Sequence, residues 1–281
     1  MRAFLQIAVF AGLFLLAVHL LARMSLYHPI RYPEGLWEMR HALGAADVEF
    51  AASDGVRLHG WWVNPEGART AALFLHGNAG NVTHRGQHIA HLRRAGSAVL
   101  VIDYRGYGRS EGSPSEAGLV RDARAGYDWL RAQGWEPERI VIHGESLGST
   151  VAVLLAASVP CAGVVLEAPF PSVQAVAAGI LPVIGPLAAR GYNAGARIHE
   201  IRVPLLIIHG DRDGVIPQRH GRRLFELANE PKEFWSVPGA GHNDLIFAAG
   251  DEYVRRLARF HEEAGGYRGH SQPNTPPVNS P

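Results

Sequence analysis

Apolar and polar positions along this chain fall into three regimes. From Ala3 to Ala22 nearly every residue is apolar, interrupted by Gln6, Gly12 and His19. From Thr70 onward, short continuously apolar runs alternate with stretches whose apolar residues recur at helical spacing. From Gly265 to Pro281 there is no apolar period, and Gly, Pro, Asn and Ser dominate. The middle regime predicts strands at Ala71–His76, Ala98–Asp103, Ile140–His143, Gly163–Ala168, Pro204–His209 and Lys232–Val237. Helices are predicted between and after them, near His84–Ala95, Ser115–Gln133, Ser146–Val159, Gln218–Ala228 and Ala248–Glu263. Strands that are apolar on both faces and separated by helices imply an α/β fold with a mostly parallel central sheet, covered on both sides. Ahead of them, Asp47–Ala52 and Val56–Val63 flank Ser53-Asp54-Gly55, which reads as a hairpin.

The first regime changes the organisation. Twenty helical residues at about 1.5 Å each span roughly 30 Å, the thickness of a bilayer core. The expectation is a single-pass membrane anchor over residues 1–23, a connector over 24–44 containing Pro29 and Pro33, a globular unit over 45–264 and a disordered tail over 265–281. A cleaved signal peptide is the alternative. Against it, the run exceeds the usual apolar core of such peptides, and Arg23 follows it directly with no A-x-A site. Arg2 lies on one side of the run and Arg23, Arg31 and Arg40 on the other, so the side of the membrane stays open.

Composition narrows the chemistry. The 281 residues carry 27 basic and 26 acidic side chains, a net charge of +1, so no strong field gathers nucleic acid. One cysteine, Cys161, excludes an internal disulfide and a cysteine-based zinc site. The 15 histidines are scattered without an H-E-x-x-H pair, and no metal or other cofactor is expected. Oligomeric state is left open.

The strongest local signal is Gly144-Glu145-Ser146-Leu147-Gly148, between the predicted strand Ile140–His143 and an apolar helix. A serine there occupies a strained turn with its hydroxyl projecting from the sheet edge, and glycines two before and two after avoid a collision. Such a hydroxyl is weak without a base. The candidate base is His242, in the glycine-rich segment Pro238–Asp244 after the last strand. The candidate acid is Asp213 in His209–Pro217, with Asp211 as a turn-capping alternative, Glu167 possible in some arrangements and Asp244 as a brace. His76-Gly77-Asn78-Ala79-Gly80-Asn81, after the first parallel strand, fits an oxyanion turn in which the N–H of Asn78 acts with that of Leu147. His76, His143 and His209 read as structural partners of nearby backbone.

Together these segments, with Asp103–Ser110 and Gly239-Ala240-Gly241-His242, resemble the α/β-hydrolase superfamily over about Asp47 to Glu263. The N-terminal run, Asp54-Gly55, Trp61-Trp62 and H-G-N-A-G-N are similar to membrane-anchored α/β-hydrolase-domain proteins of esterase, lipase or serine peptidase-like type. The resemblance implies a Ser146–His242–Asp213 triad, a short lid near 170–203 and hydrolysis of a small-molecule ester or acyl substrate through an acyl-enzyme. It implies that Arg105, Tyr107 and Arg109 shape the loop beside the site. Peptidase, amidase and acyltransferase activity use the same triad and stay open; a non-catalytic tethered scaffold is a further class. The lid region has Glu200 as its one acid, and Ile180, Leu181, Val183 and Ile184 are expected to line the entrance.

Overall fold

Alternation within each apolar run decides which face of the sheet a residue serves. The computed structural model describes residues 26–182, 185 and 189–266, with isolated positions 6, 10, 12, 14 and 17. Its strands are β1 (His28–Pro29), β2 (Ala46–Ala51), β3 (Arg57–Val63), β4 (Thr70–Leu75), β5 (Ala79–Gly80), β6 (Ser97–Asp103), β7 (Ile140–Glu145), β8 (Gly163–Glu167), β9 (Leu205–Gly210) and β10 (Lys232–Val237). Eight of them form one sheet in the order β10-β9-β8-β7-β4-β6-β3-β2. The hairpin strands β2 and β3 are antiparallel to each other, β3 is antiparallel to β6, and the remaining pairs are parallel.

Because successive side chains on a strand point to opposite faces, the buried runs feed two cores. Leu73, Leu75, Leu100, Ile102, Ile140, Ile142, Leu166 and Ile207 lie in one. Phe74, Val99, Val101, Val141, Val165, Leu206 and Ile208 lie in the other. The helices are α1 (Met39–Leu43), α2 (Gly86–Arg94), α3 (Glu116–Ala132), α4 (Leu147–Ala156), α5 (Val173–Ile180), α6 (Arg219–Leu227), α7 (Leu245–Ala249) and α8 (Asp251–Gly266). Helices α3 and α4 close the first core through Leu119, Ala123, Tyr127, Leu130 and Val151. Helices α2 and α8 close the second through Ile89, Leu92, Tyr253, Leu257 and Phe260. Helix α3 starts where Ser115 Oγ accepts the Gly118 N–H at 3.2 Å, leaving one fewer orphan donor at its first turn. The predicted α/β architecture, with helices on both faces of a mostly parallel sheet, is the one observed.

Two findings go beyond the sequence reading. Of the stretch 24–44 read as a connector, the part from Leu26 on is stitched to the body as a strap. His28 N–H donates to Asn78 O at 2.9 Å, Ile30 N–H to Gly80 O at 3.0 Å and Tyr32 N–H to Gly108 O at 2.9 Å, so β1 pairs with β5 in parallel. The Arg109 guanidinium sits 4.6 Å from the centroids of the Tyr32 and Trp37 rings, a cation–π clasp on the same strap. Second, helix α8 continues through Gly265 and Gly266, where a tail was expected to begin. The rest of that tail and most of the anchor expected over 1–23 lie outside the described residues. Among the described residues no helix is long and apolar enough to cross a membrane.

Candidate active site

The parallel strands end at one edge of the sheet, and the candidate residues sit on the turns just beyond them. Ser146 links β7 to α4 at φ 50° and ψ −117°, in the region that disfavours L side chains. Holding a non-glycine residue there costs on the order of 1–3 kcal/mol. The surroundings impose it. Ser146 N–H donates to Glu167 O at 2.9 Å, while Ser149 donates to Ser146 O from its N–H at 2.9 Å and from its hydroxyl at 2.6 Å. A side chain at 144 would come within 2.4 Å of Gly148 O, and one at 148 within 1.9 Å of Leu75 O. Both flanking glycines are therefore required by close backbone approach.

The structure brings Ser146, His242 and Asp213 together. His242 Nε2 lies 3.0 Å from Ser146 Oγ, and His242 Nδ1 lies 2.7 Å from Asp213 Oδ2. An ionised carboxylate only accepts, so Nδ1 donates to Asp213 and the Nε2 lone pair faces the serine hydroxyl. The other oxygen of Asp213 accepts from Val215 N–H at 2.9 Å and Ile216 N–H at 2.7 Å. His209 Nε2 lies 3.4 Å from Asp213 Oδ2 and donates to Ile216 O at 2.8 Å. Burial alone would raise the Asp213 pKa, but the His209, His242 and Ile216 contacts outweigh it and hold the carboxyl well below the usual range. It is a carboxylate at any working pH.

The competing acids have other tasks. Asp211 accepts from Gly239 N–H at 2.7 Å and Asp244 from Gly241 N–H at 2.6 Å, so both fix the loop that carries His242. Glu167 lies in a buried cluster with His143 Nε2 at 2.5 Å, Tyr253 OH at 2.5 Å and His88 Nε2 at 3.5 Å. Burial opposes its ionisation, and the two histidines more than compensate, keeping it far below an ordinary glutamate. His143, expected to serve backbone, is thus paired to a carboxylate, because β7 and β8 set positions 143 and 167 on the same face of adjacent strands.

The candidate oxyanion donors flank the nucleophile. Leu147 opens α4, and an N–H at a helix start has no intrahelical acceptor. Gly77, Asn78 and Ser146 line one cleft. The peptide groups around Asn78 are fixed from three directions. His76 Nδ1–H donates to Gly77 O at 2.7 Å, and Asn78 O accepts from Tyr107 OH at 2.7 Å and His28 N–H at 2.9 Å. Burial pushes the His76 pKa down to about 4, so the ring is neutral and Nδ1 carries its proton. Tyr107 and the strap residue His28 were not named as site residues from sequence. Tyr107 stood in a segment noted for shaping the loop; for His28 no local signal existed. Arg105 instead pairs with Asp54 and Asp122, and Arg109 with Asp47.

A cavity of about 420 Å³ opens over Ser146 and His242, walled by Leu36, Met39, Arg85, His88, Glu145, Ile246 and Phe247. This corrects the expected entrance. Ile180 and Leu181 are exposed and line neither cleft that touches Ser146, while Val183 and Ile184 lie outside the described residues. The walls come from the strap, α2 and α7.

The comparisons with known proteins agree with this architecture. The family model described as "Serine aminopeptidase, S33" matches residues 66–194, which includes Ser146 and stops short of Asp213 and His242. An uncharacterized protein of Mycobacterium tuberculosis is 40% identical over 219 residues, covering 76% of this chain and 78% of the relative. The alpha/beta hydrolase domain-containing protein WAV2 of Arabidopsis thaliana is 32% identical over 241 residues, covering 77% and 78%. The chain belongs to the α/β-hydrolase family. Among solved structures, an esterase of Pyrococcus furiosus shares the fold with a TM-score of 0.71 and 24% identity, covering 85% of this chain and 98% of that one.

Proposed function

We propose that this α/β-hydrolase is a serine hydrolase that cleaves carboxylic esters through an acyl-enzyme on Ser146. The observation that carries the reading is the relay from Ser146 Oγ through His242 to Asp213, at 3.0 and 2.7 Å, on a turn held at positive φ. In this reading Ser146 Oγ attacks the ester carbonyl carbon as His242 Nε2 takes its proton. The N–H groups of Asn78 and Leu147 receive the negative oxygen, each such donor contributing about 10²–10³ in rate. His242 returns the proton to the departing alcohol oxygen as the C–O bond breaks. Water then repeats the attack on the acyl-enzyme and releases the acid. Membrane attachment through residues 1–23 belongs to the same reading and is tested by sedimentation of the full chain.

The family description raises a second reading, removal of an amino-terminal residue from a peptide. That activity needs a carboxylate free to bind an ammonium group. The two acids lining the cavity are engaged, Glu145 with Arg85 at 3.4 Å and Glu167 with His143, His88 and Tyr253. The apolar strap residues Leu36 and Met39, with Ile246 and Phe247 of α7, suit an acyl group better. The deciding experiment sets short-chain nitrophenyl esters beside aminoacyl arylamides, with a fluorophosphonate probe on wild type and Ser146→Ala. Labelling and ester turnover lost together in Ser146→Ala are expected. Equal labelling of that variant would remove Ser146 from the mechanism, and arylamides cleaved faster than esters would favour the peptidase.

A further inference from the structure

We propose that the substrate's acyl chain runs from Ser146 along an apolar trough between the strap and helices α2 and α7, making this an enzyme for long, unbranched acyl esters. The inference rests on the esterase reading and adds to it the class of acyl group. Beside the cavity over Ser146 lies a second one of about 540 Å³. The two share Met39, Gly86, Gln87, Ile246 and Phe247 as walls, so they adjoin. The second runs past Leu43 and Ala90 to Gly250, with His91 and Asp251 at its margin.

The distribution of polarity along the two cavities fits one kind of occupant. Arg85 and Glu145 border both clefts that touch Ser146, where an ester head and its leaving alcohol belong. Farther along, the walls are Met39, Leu43, Ala90, Ile246 and Phe247. Asp251, at the margin, is paired with Arg94 at 2.8 Å. Two large side chains stand exposed on its rim, Leu36 at 58% and Phe247 at 70%. Apolar surface left open beside a nucleophile has a use if substrate covers it. The trough has charge at the reacting end and none along its middle, the pattern of a fatty acyl ester. The strap builds one wall, the chain just after the histidine loop builds the other, and the stretch 170–203 contributes no described residue to either.

The test is kcat/KM for a series of unbranched acyl esters from two to sixteen carbons on wild type, Ala90→Trp and Phe247→Ser. Ala90 borders the second cavity and not the first, so tryptophan there blocks the far end. Phe247→Ser strips the rim at an exposed position where folding is not at stake. In wild type, kcat/KM should rise by about fourfold per methylene while the trough fills, the factor that corresponds to burying one CH₂. The ratio of twelve-carbon to four-carbon ester should fall at least tenfold in Ala90→Trp and at least threefold in Phe247→Ser. A flat wild-type profile with the four-carbon ester still turned over would overturn the trough and leave the esterase reading standing. So would a ratio unchanged in both folded variants, which would mean that another part of the chain or a second copy covers this surface. Absence of ester turnover and of probe labelling would instead overturn the parent reading.

Discussion

Replacing Asp213 by asparagine tests the relay at its most constrained point. Oδ1 of Asp213 accepts two backbone N–H groups, from Val215 and Ile216. An asparagine must therefore turn its carbonyl oxygen to those donors and its NH₂ toward His242, since the reverse would set NH₂ against N–H. The NH₂ then donates to His242 Nδ1, which forces the ring proton onto Nε2, facing Ser146. The imidazole presents a donor where the mechanism needs an acceptor. The charge is lost as well. A carboxylate about 4 Å from the imidazolium contributes about 4 kcal/mol at an effective dielectric of 20. Lost charge and inverted tautomer together predict a fall in kcat on the order of 10⁴. Asp211→Asn keeps an amide oxygen for Gly239 N–H at the exposed loop and should cost less than tenfold. The assay is steady-state turnover of a short-chain ester, with thermal unfolding of each variant run in parallel. A fall below tenfold for folded Asp213→Asn, or a larger loss for Asp211→Asn, would refute the tautomer argument.

Tyr107→Phe removes one donor to Asn78 O, worth about 1 kcal/mol, and should lower kcat about fivefold with KM little changed; an effect on KM alone would argue against a role at the oxyanion turn. His261 is fully buried and its pKa is pushed down to about 3. The unfolded chain takes up a proton near pH 6.5 that the native chain refuses. Its stabilisation is thus present above pH 6.5 and lost as pH falls toward 3, at about 1.4 kcal/mol per pH unit. His261→Gln should flatten the unfolding free energy between pH 6 and 4.5 by about that slope, and an unchanged slope would contradict the assignment. Deleting residues 1–23 should leave kcat/KM of a short-chain ester within twofold of the full chain, whereas deleting 1–38 should lower it at least a hundredfold.

The central parallel strands were legible in the sequence because they are buried on both faces and so carry runs without polar interruption, as in residues 205–208; the edge strand Lys232–Val237 is half-buried and mixes polar with apolar residues. Ser146, Asp213 and His242 were legible for a related reason. Each follows a strand, and chemistry at a sheet edge needs glycine-permitted turns that leave a local mark. The strap left no such mark. Beside the Arg109 clasp and the Asn81 amide, which donates to Ile30 O and Glu34 O, its hold on the fold includes backbone hydrogen bonding between His28–Ile30 and Asn78–Gly80, which any residue type makes and two-residue strands cannot signal by periodicity. The entrance was misassigned to Ile180 and Leu181 because apolar composition does not tell which apolar segment faces the nucleophile. Register and helix position decide that, and they bring Leu36, Met39 and Phe247 there instead.

The strap makes the chain's leading end a lever on the reaction centre. A pull arriving from upstream meets Leu26 and Tyr27 first, packed on the first core with Tyr27 OH 2.8 Å from Tyr192 OH, and then His28, whose N–H is bonded to the carbonyl of Asn78, one peptide away from the proposed oxyanion donor. Two short parallel rungs resist such a load one hydrogen bond at a time, so they would peel apart well before the sheet felt it. Tension, crowding or a fusion partner at the leading end that displaced these residues would thus be transmitted to turnover through the peptide at Asn78. For anyone trimming the chain, the safe cut lies ahead of Leu26, and each residue removed beyond it loosens the turn beside Ser146.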